Sequence, residues 1–371
     1  MDIASPAPSS APPPESAAVA PGSTERPRPP RRVRYAGKNP RNFNEKYKEH
    51  DPVRYADDVA KVVASGKTPA GTHRPILVAE ILDVLQPQPG ESMVDATLGY
   101  GGHSTELLAR LMPGGHLLGL DVDPIEQPKT EARLRALGYG ADALVVRHGN
   151  FAGVGAALAN LGWGPVDGLL ADLGVSSMQI DDPARGFTFK TEGPLDLRLN
   201  PQRGLSAAAW LARVSPTKLA RALAENSDEP HADLLAQGLI STRESRPWTT
   251  TVQLADGIRN LLATKAAMTD RTAADDVVRR VFQAIRIEVN EEFSALDALL
   301  RGLPAVMKPG GRVAILTFHS GEDRRVKHAF KEGQRTGIWS NIADEVRRPS
   351  PEEVRSNPRS ASAKLRWAVR A

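Results

Sequence analysis

Short apolar runs and helical patterns alternate along residues 74–174 of this chain. Apolar runs that end in an acidic residue or a glycine are typical of buried strands, and they occupy residues 93–97, 116–123, 143–151 and 166–174. The segments between them space apolar residues three or four apart, which predicts helices at residues 76–85, 105–112, 125–137 and 151–161. Strands that alternate with helices through short links favour a parallel sheet with helices on both faces.

This alternation stops after residue 174. Residues 184–202 are interrupted by Gly and Pro, and the pattern from about residue 205 to residue 302 is helical throughout. A strand pattern returns at residues 311–320. We therefore predict an α/β fold in which a helical insertion, residues 184–283, interrupts a discontinuous sheet domain, residues 71–183 plus 284–371.

The net charge of +4 is unevenly distributed along the chain. Residues 1–70 carry a net +4, residues 71–323 carry −7 and residues 324–371 carry +7. Basic ends around an acidic middle suit a polyanionic partner, but tails that are simply solvated would show the same pattern.

The first 70 residues differ in composition from the rest of the chain. Residues 1–30 hold nine prolines, and this composition predicts disorder. Residues 31–50 interleave basic side chains with Tyr35, Phe43 and Tyr47, a pattern that suits either contact with RNA or a linker.

The composition also excludes several classes of protein. The chain contains no cysteine, which rules out disulfides, thiolate metal sites and cysteine nucleophiles. Its eight histidines are scattered, so the sequence predicts no metal site. It has neither the apolar length of a membrane span nor the apolar run of a secretory signal. We expect a soluble, cytoplasmic protein, and the sequence makes no prediction of its oligomeric state.

Four successive strand ends carry residues that suit a nucleoside ligand. The first strand leads into a glycine-rich turn at residues 99–103, which lacks the third glycine of a dinucleotide motif and therefore disfavours NAD. Asp121 ends the second strand, where an acid accepts hydrogen bonds from ribose hydroxyls. Asp123 competes for this role, but the alternation of residues along the strand reaches the end of the sheet at Asp121. The third strand leads to Phe151, whose ring can stack on adenine, and the fourth ends at Asp172. An ordinary turn explains one such strand end, but four together favour a binding site.

Nine stretches of the chain resemble the ribosomal RNA cytosine-N4 methyltransferases of the MraW type, which act on small-subunit rRNA. The most specific are the neighbouring stretches at residues 172–189 and 193–199, which together hold the string DLGVSS…RGF…GPLDLR. The others occupy residues 73–85, 95–104, 120–124, 148–151, 282–292, 316–327 and 357–366, in the order in which the family has them. The resemblance spans nearly everything after residue 72, whereas residues 1–70 lie mostly outside it.

This resemblance implies a Rossmann-like class I methyltransferase sheet and S-adenosyl-L-methionine (AdoMet) as the cofactor. It implies that the protein methylates N4 of a cytosine in the decoding region of 16S rRNA, as naked rRNA or in an assembled small ribosomal subunit. The residues that align with the family's AdoMet contacts are Gly101, Gly102, His103, Asp121, Phe151, Asp172 and Gln179. Met178 stands where the family commonly has proline, which weakens the assignment of Gln179.

Methylation at cytosine C5 normally needs a cysteine thiolate, so the absence of cysteine leaves an exocyclic nitrogen or an oxygen as the acceptor. Transfer to N4 proceeds in line, without a covalent enzyme intermediate, and depends on alignment and on a base for the departing proton. We predict that Asp172 and Ser176 orient the reactants and that His319 is the general base. A hydrogen-bonded structural histidine is the alternative for His319.

Basic and aromatic residues late in the chain are candidates for holding RNA. They are Arg185, Phe187, Arg198, Arg324, Arg359, Lys364 and Arg366. Two other functions stay open at this point: a methyltransferase of the same fold that acts on another substrate such as DNA, and a non-catalytic ribosome assembly factor that retains the fold.

Overall fold

The computed structural model describes residues 75–371 of the chain, so the predictions for residues 1–70 lie outside the described residues. Seven strands are present: β1 (Ser92–Asp95), β2 (His116–Asp121), β3 (Leu144–His148), β4 (Val166–Asp172), β5 (Met307–Thr317), β6 (Trp339–Ile342) and β7 (Lys364–Arg370). The helices of the sheet domain are α1 (Val78–Leu85), α2 (Gly102–Leu111), α3 (Gln127–Ala136), α4 (Val154–Asn160), α5 (Ser177–Asp181), α11 (Glu292–Val306), α12 (Ser320–Arg335) and α13 (Pro351–Ser356). The helices between them are α6 (Ala207–Leu211), α7 (Pro216–Ser227), α8 (Ala232–Thr242), α9 (Thr251–Lys265) and α10 (Arg271–Asn290).

The strands form one sheet in the order β3-β2-β1-β4-β5-β7-β6. Strands β1 to β5 run parallel to one another, and β7 pairs antiparallel with β5 and β6. This confirms the predicted α/β class with a Rossmann-like methyltransferase sheet. The strand order reverses between β1 and β4, and open parallel sheets bind ligands at the carboxyl ends of the strands beside such a switch point.

Alternate residues of each strand pack into different cores, as the pleat of a strand requires. Val94 and Leu118 belong to the core under α4, α11 and α12, whereas Met93 and Leu117 belong to the core under α1 and α2. Both faces of the sheet are therefore covered. Because these strands are buried on both faces, they appear in the sequence as continuous apolar runs. Such runs are what predicted the strands from the sequence.

Strands β6 and β7 were not predicted individually, although residues 284–371 were assigned to the sheet domain. Strand β7 lies between β5 and β6, with Arg366 opposite Ile315 and Ala368 opposite Val313. Its buried positions include Leu365 and Ala368, so basic residues alternate with core residues along it. The positive charge of this segment is built into the sheet.

The helices between β4 and β5 form a third core of their own. It is lined by α7, α8, α9 and α10, and it includes the buried Trp248. The predicted boundary between residues 283 and 284 falls inside α10, whose Ala284 and Ile285 still belong to this core. We therefore propose that the insertion ends with α10, at Asn290. Among the described residues, no helix combines the length and apolar character needed to cross a bilayer.

Candidate active site

A cavity of about 880 Å³ opens at the carboxyl ends of β1, β2, β4 and β5. The turns after these strands form one wall, and the helical insertion contributes the other through Phe187, Phe189, Phe282 and Gln283. Binding cavities for small molecules typically measure about 300–1,000 Å³. The strand ends beside the switch point and the insertion therefore share one space.

The glycine-rich turn between β1 and α2 has a backbone that other residues cannot easily adopt. Gly99 and Gly101 have φ angles of +48° and +70°, a region that favours glycine. A Cβ atom on Gly102 would lie 2.3 Å from Cγ of Pro75, so this position requires the absence of a side chain. The turn brings the amino end of α2, whose backbone amides and dipole favour electron-rich ligand groups, to the edge of the cavity.

Asp121 and Asp123 have different environments, which separates the two candidates for the ribose-binding acid. Asp121 lines the cavity, and its carboxylate accepts hydrogen bonds from the backbone N–H groups of Gly99 (2.6 Å) and Asp123 (2.8 Å). Burial raises its pKa to about 6. Asp123 is 1% exposed and its carboxylate is fully bound by protein groups. Asp121 is therefore the acid that remains available to a ligand.

Asp172 ends β4 and faces His103 across 3.7 Å, measured from Oδ2 to Nδ1. Its side chain is 29% exposed, and burial raises its pKa to about 6 although the charge of His103 opposes this shift. His103 Nε2 lies 3.0 Å from the carbonyl oxygen of Ile76, which can only accept, so Nε2 carries a proton. When the ring is neutral, the lone pair of Nδ1 therefore points toward Asp172. When the ring is protonated, it forms an ion pair with Asp172.

The predicted site residues Ser176 and Gln179 form the capping box of the short helix α5. The Ser176 hydroxyl accepts from the Gln179 backbone N–H (3.2 Å), and the Gln179 side-chain oxygen accepts from the Ser176 backbone N–H (2.9 Å). The Gln179 amide nitrogen donates to Asp123. Both ends of the Gln179 amide are thus engaged by the protein, and Met178 beside it is buried in the core.

Five of the seven residues proposed to hold cofactor are at the cavity with groups open to it. The glycines and His103 form the first turn, Phe151 begins the turn after β3, and the acids end β2 and β4. Phe151 is half-buried, and Asn150 fixes its turn by accepting from the backbone N–H of Ala152. The other two of the seven have no group open to the cavity. Gly101 faces Thr130 and Leu134 of α3, and both ends of the Gln179 amide are bound by protein groups.

The residues predicted to hold RNA fall into two groups. Arg198 makes a bidentate pair with Asp196, while Lys364 and Arg366 both bind Asp323. These three cations, like the buried Arg185 with its partner Asp123, already have carboxylate partners in partly or fully buried positions. We therefore leave all four out of the RNA surface proposed below.

Arg324 and Arg359 remain accessible to RNA. Their side chains are 57% and 37% exposed, in ion pairs with Asp228 and Asp181 respectively. The exposed pair of Arg324 contributes little to stability, so Arg324 can exchange its carboxylate for a phosphate at small cost. Arg359 is held more firmly, because it binds both oxygens of the partly buried Asp181 and donates to the carbonyl oxygen of Ser177. Phe187 lines the cavity and packs against the core of the insertion.

His319 is the amino-terminal cap of α12, and both of its ring nitrogens face Glu322. Nδ1 accepts from the Glu322 backbone N–H at 3.4 Å, and Nε2 lies 3.1 Å from the Glu322 carboxylate without hydrogen-bond alignment. Burial alone would raise the pKa of Glu322, but the contact with His319 lowers it. Glu322 is therefore an ionised partner, and neither nitrogen of His319 presents a free lone pair to the cavity.

Several residues that line the cavity were not among those predicted from the sequence. Arg286 binds both oxygens of Glu292, at 2.7 and 2.8 Å, beside Glu322. The exposed cations Lys190 and Arg279 stand on the insertion side. Arg286 and Glu292 do lie within the resembling stretch at residues 282–292, which was the available signal for them.

One group of three side chains in the described part of the chain has ligand atoms close enough to hold a metal ion. In this group, formed by Glu292, His319 and Glu322, the atoms lie within 4.8 Å of one another. Arg286 neutralises Glu292 from both oxygens, and a fixed guanidinium at this distance repels a cation. The group is better described as a polar contact that joins α10, through Arg286, to the first turns of α11 and α12.

Comparison with known proteins gives a match over most of the chain. The model of the MraW methylase family matches residues 70–371. Ribosomal RNA small subunit methyltransferase H 1 of Lachnoclostridium phytofermentans and H 2 of Alkaliphilus metalliredigens are each 51% identical over 342 residues. These matches cover 92% of this chain and 93% and 97% of the relatives. The crystal structure of a SAM-dependent methyltransferase from Aquifex aeolicus has a TM-score of 0.36 at 10% identity, covering 89% of this chain and 99% of that one.

The alignments with these two relatives extend into the amino-terminal segment. A match over 92% of 371 residues leaves about 30 residues uncovered, so it takes in at least about 40 of residues 1–70. The family model itself begins at residue 70, which agrees with the expectation that residues 1–70 lie mostly outside the family resemblance.

Proposed function

Since the chain belongs to the MraW methylase family, we propose that it methylates N4 of a cytosine in the decoding region of 16S rRNA. The coarser activity follows from the family and its named relatives: the protein is an AdoMet-dependent methyltransferase of small-subunit rRNA. The observation that best supports the finer proposal is the Asp172 carboxylate, which ends β4 partly exposed in a cavity shared with the insertion. An exocyclic amine needs such an acceptor, whereas a cysteine-dependent route to C5 is closed to a chain without cysteine.

The residues of the cavity fit the cofactor of this family. The glycine turn allows close approach of a ligand, Asp121 offers a carboxylate to hydroxyl groups, and Phe151 offers a ring for stacking. When bound, AdoMet supplies an electrophilic methyl group. The ring of His103 and the carboxylate of Asp172 then lie at the same edge of the cavity, between the glycine turn and the insertion.

We propose that Asp172 both orients the target amine and takes up its proton. The N4 lone pair is delocalised into the cytosine ring, so an acceptor must hold the amino hydrogens while the nitrogen becomes pyramidal. Asp172 has a pKa near 6 and is therefore mostly ionised at neutral pH. We assign His319 a positioning role, because its ring nitrogens are both directed at Glu322.

The cytosine must leave its stack to reach this carboxylate. The insertion wall supplies aromatic rings at Phe187 and Phe189, beside the exposed cations Lys190 and Arg279. Arg359 lines the cavity on the sheet side, and Arg324 is an exposed cation on α12. We propose that the rings hold the flipped base and that these cations bind the flanking phosphates.

The proposed function is tested by nucleoside analysis of labelled rRNA. Purified protein and AdoMet with an isotope-labelled methyl group are incubated with small ribosomal subunits that lack the modification, and the digested rRNA is analysed by mass spectrometry. We expect the label in N4-methylcytidine from the decoding region. Label in another nucleoside contradicts the acceptor atom and keeps the cofactor, and label in DNA but not rRNA contradicts the substrate.

The pKa values of the two cavity acids predict how cofactor affinity depends on pH. Burial raises the pKa of Asp121 and of Asp172 to about 6, so their negative charges are lost as the pH falls through this range. AdoMet carries a positive sulfonium that its product, S-adenosyl-L-homocysteine, lacks, so AdoMet gains more than the product from these charges.

We therefore expect the preference for AdoMet over the product to increase from about pH 5 to about pH 8. Isothermal titration calorimetry with each ligand at both pH values measures this preference. The Asp121→Asn variant, which removes one of the two titrating charges, should reduce the increase. An equal pH dependence for both ligands would show that the acids do not sense the sulfonium charge.

A further inference from the structure

The structure contains a buried polar connection between the cofactor side of the cavity and the insertion. We infer that Arg185 at its centre is a positioning residue that couples cofactor binding to rRNA binding. This inference rests on the proposed function, because it requires that the insertion receives the rRNA. Arg185 was expected to contact RNA, but its side chain is only 8% exposed.

On the cofactor side, Arg185 is bound to Asp123. Oδ2 of Asp123 accepts from Nη1 of Arg185 and from Nε2 of Gln179, both at 2.7 Å. Oδ1 accepts from the backbone N–H groups of Ile125 and Glu126, at 2.9 and 3.3 Å. The backbone N–H of Asp123 donates in turn to Asp121. A displacement of Arg185 is thereby transmitted to the acid that lines the cofactor side of the cavity.

On the insertion side, the same guanidinium binds backbone carbonyl groups. Nη2 of Arg185 donates to the carbonyl oxygens of Leu199 (2.8 Å) and Arg198 (3.3 Å). The Leu199 N–H donates to the side chain of Asn290 at 2.7 Å, and Asn290 donates back to Leu197. Asn290 is the last residue of α10, the long helix whose Gln283 and Phe282 form the insertion wall of the cavity.

The chemistry of arginine explains why one residue can make this connection. A guanidinium is planar, and its separate nitrogens bind two partners in a fixed relative geometry, which the single ammonium of lysine cannot do. Gln179 joins the same carboxylate and also closes the capping box of α5. The loop after β4, the turn after β2 and the end of α10 are thus held in one arrangement by buried hydrogen bonds.

Two sites that share such a rigid connection influence each other's occupancy. If rRNA binding to the insertion favours the arrangement that holds Asp121 in place, it raises cofactor affinity, and by linkage the cofactor raises rRNA affinity equally. Typical coupling between sites changes an affinity by about 5- to 150-fold. A variant that breaks the buried connection through Arg185 should reduce this factor toward one, while each ligand still binds on its own.

The experiment measures the affinity for S-adenosyl-L-homocysteine, which does not react, with and without unmethylated small ribosomal subunits. We expect subunits to tighten its binding to the wild-type protein by about 5-fold or more, and to have little effect on Arg185→Lys. This variant keeps the positive charge beside Asp123 and loses the two-sided geometry. Should it fail to fold, the double variant Asp123→Asn with Arg185→Met removes the buried charges together and serves the same purpose.

Arg243→Lys is the matched control. Arg243 also donates to two backbone carbonyl groups, those of Leu211 and Val214, but both lie within the insertion. The control should keep the coupling, and thermal unfolding shows whether the two variants lose comparable stability. A purely structural role for Arg185 would lower both affinities and leave their ratio unchanged. Equal coupling in Arg185→Lys and the wild type, or no coupling in the wild type, would overturn the inference, independently of which nucleoside the label reaches.

Discussion

Replacement of Asp172 by asparagine is expected to slow methyl transfer by about 100- to 10,000-fold, the range typical of general acid–base groups. The substitution preserves the size of the side chain, so the end of β4 stays in place. The hydrogen bond that the backbone N–H of residue 172 donates to the Thr97 hydroxyl also stays in place. It removes the negative charge that accepts the amino hydrogens. The effect should appear in single-turnover measurements at saturating AdoMet, which separate the chemical step from cofactor binding.

Asp167→Asn is the matched control for this experiment. Asp167 lies on the same strand as Asp172, about 16 Å away along it, and binds Lys308 and the backbone N–H of Ser92. The Asp167→Asn variant should have the same single-turnover rate as the wild type. If Asp172→Asn keeps the rate within about threefold and His319→Gln loses it, the base is His319 and the assignment made here is wrong.

The parts of the site that sequence predicts well are those at the ends of strands. A buried strand is recognisable from a local run of apolar residues, and parallel strands bring their carboxyl ends to one edge. The turn at Gly99, the acid Asp121 and the acid Asp172 could therefore be placed together without a structure. Even the choice of Asp121 over Asp123 followed from the alternation of residues along β2.

Side-chain pairing could not be predicted in this way. Arg185 and Asp123 are 62 residues apart, and nothing local distinguishes an arginine that is buried on a carboxylate from one that faces a phosphate. The same holds for Lys364 and Arg366, which read as a basic tail but lie on β7 beside Asp323. Strand β7 itself depends on antiparallel pairing with β5, a contact distant in sequence.

His319 illustrates a third limit, which is orientation. Sequence correctly puts it directly after a strand and at the cavity, since β5 ends at Thr317 and α12 begins at Ser320. The direction of its ring depends on the capping geometry of α12, in which Glu322 engages both ring nitrogens. Proximity to the cavity and chemical availability to a substrate are separate properties, and only coordinates distinguish them.

Gly193→Ala is expected to destabilise the protein by about 3 kcal/mol, the upper part of the range for overpacking. A Cβ atom on Gly193 would lie 2.0 Å from the carbonyl oxygen of Pro183, which is backbone and cannot rotate away. The two segments that meet here carry the RGF and GPLDLR motifs, and Gly186 approaches Pro194 from the other segment in the same manner. The glycines of both motifs thus permit contact between two backbones beside Arg185.

Gly302→Ala is expected to stabilise the protein, whereas Gly193→Ala is expected to destabilise it. Gly302 lies inside α11, and a Cβ atom there would meet nothing within 4 Å. Alanine should therefore stabilise the helix by about 0.5–1 kcal/mol. Urea denaturation of both variants measures the free energy of unfolding, with opposite signs expected. A Gly193→Ala protein of wild-type stability would show that residues 183 and 193 separate readily, and the buried connection through Arg185 would then lack the rigid loop on which it depends.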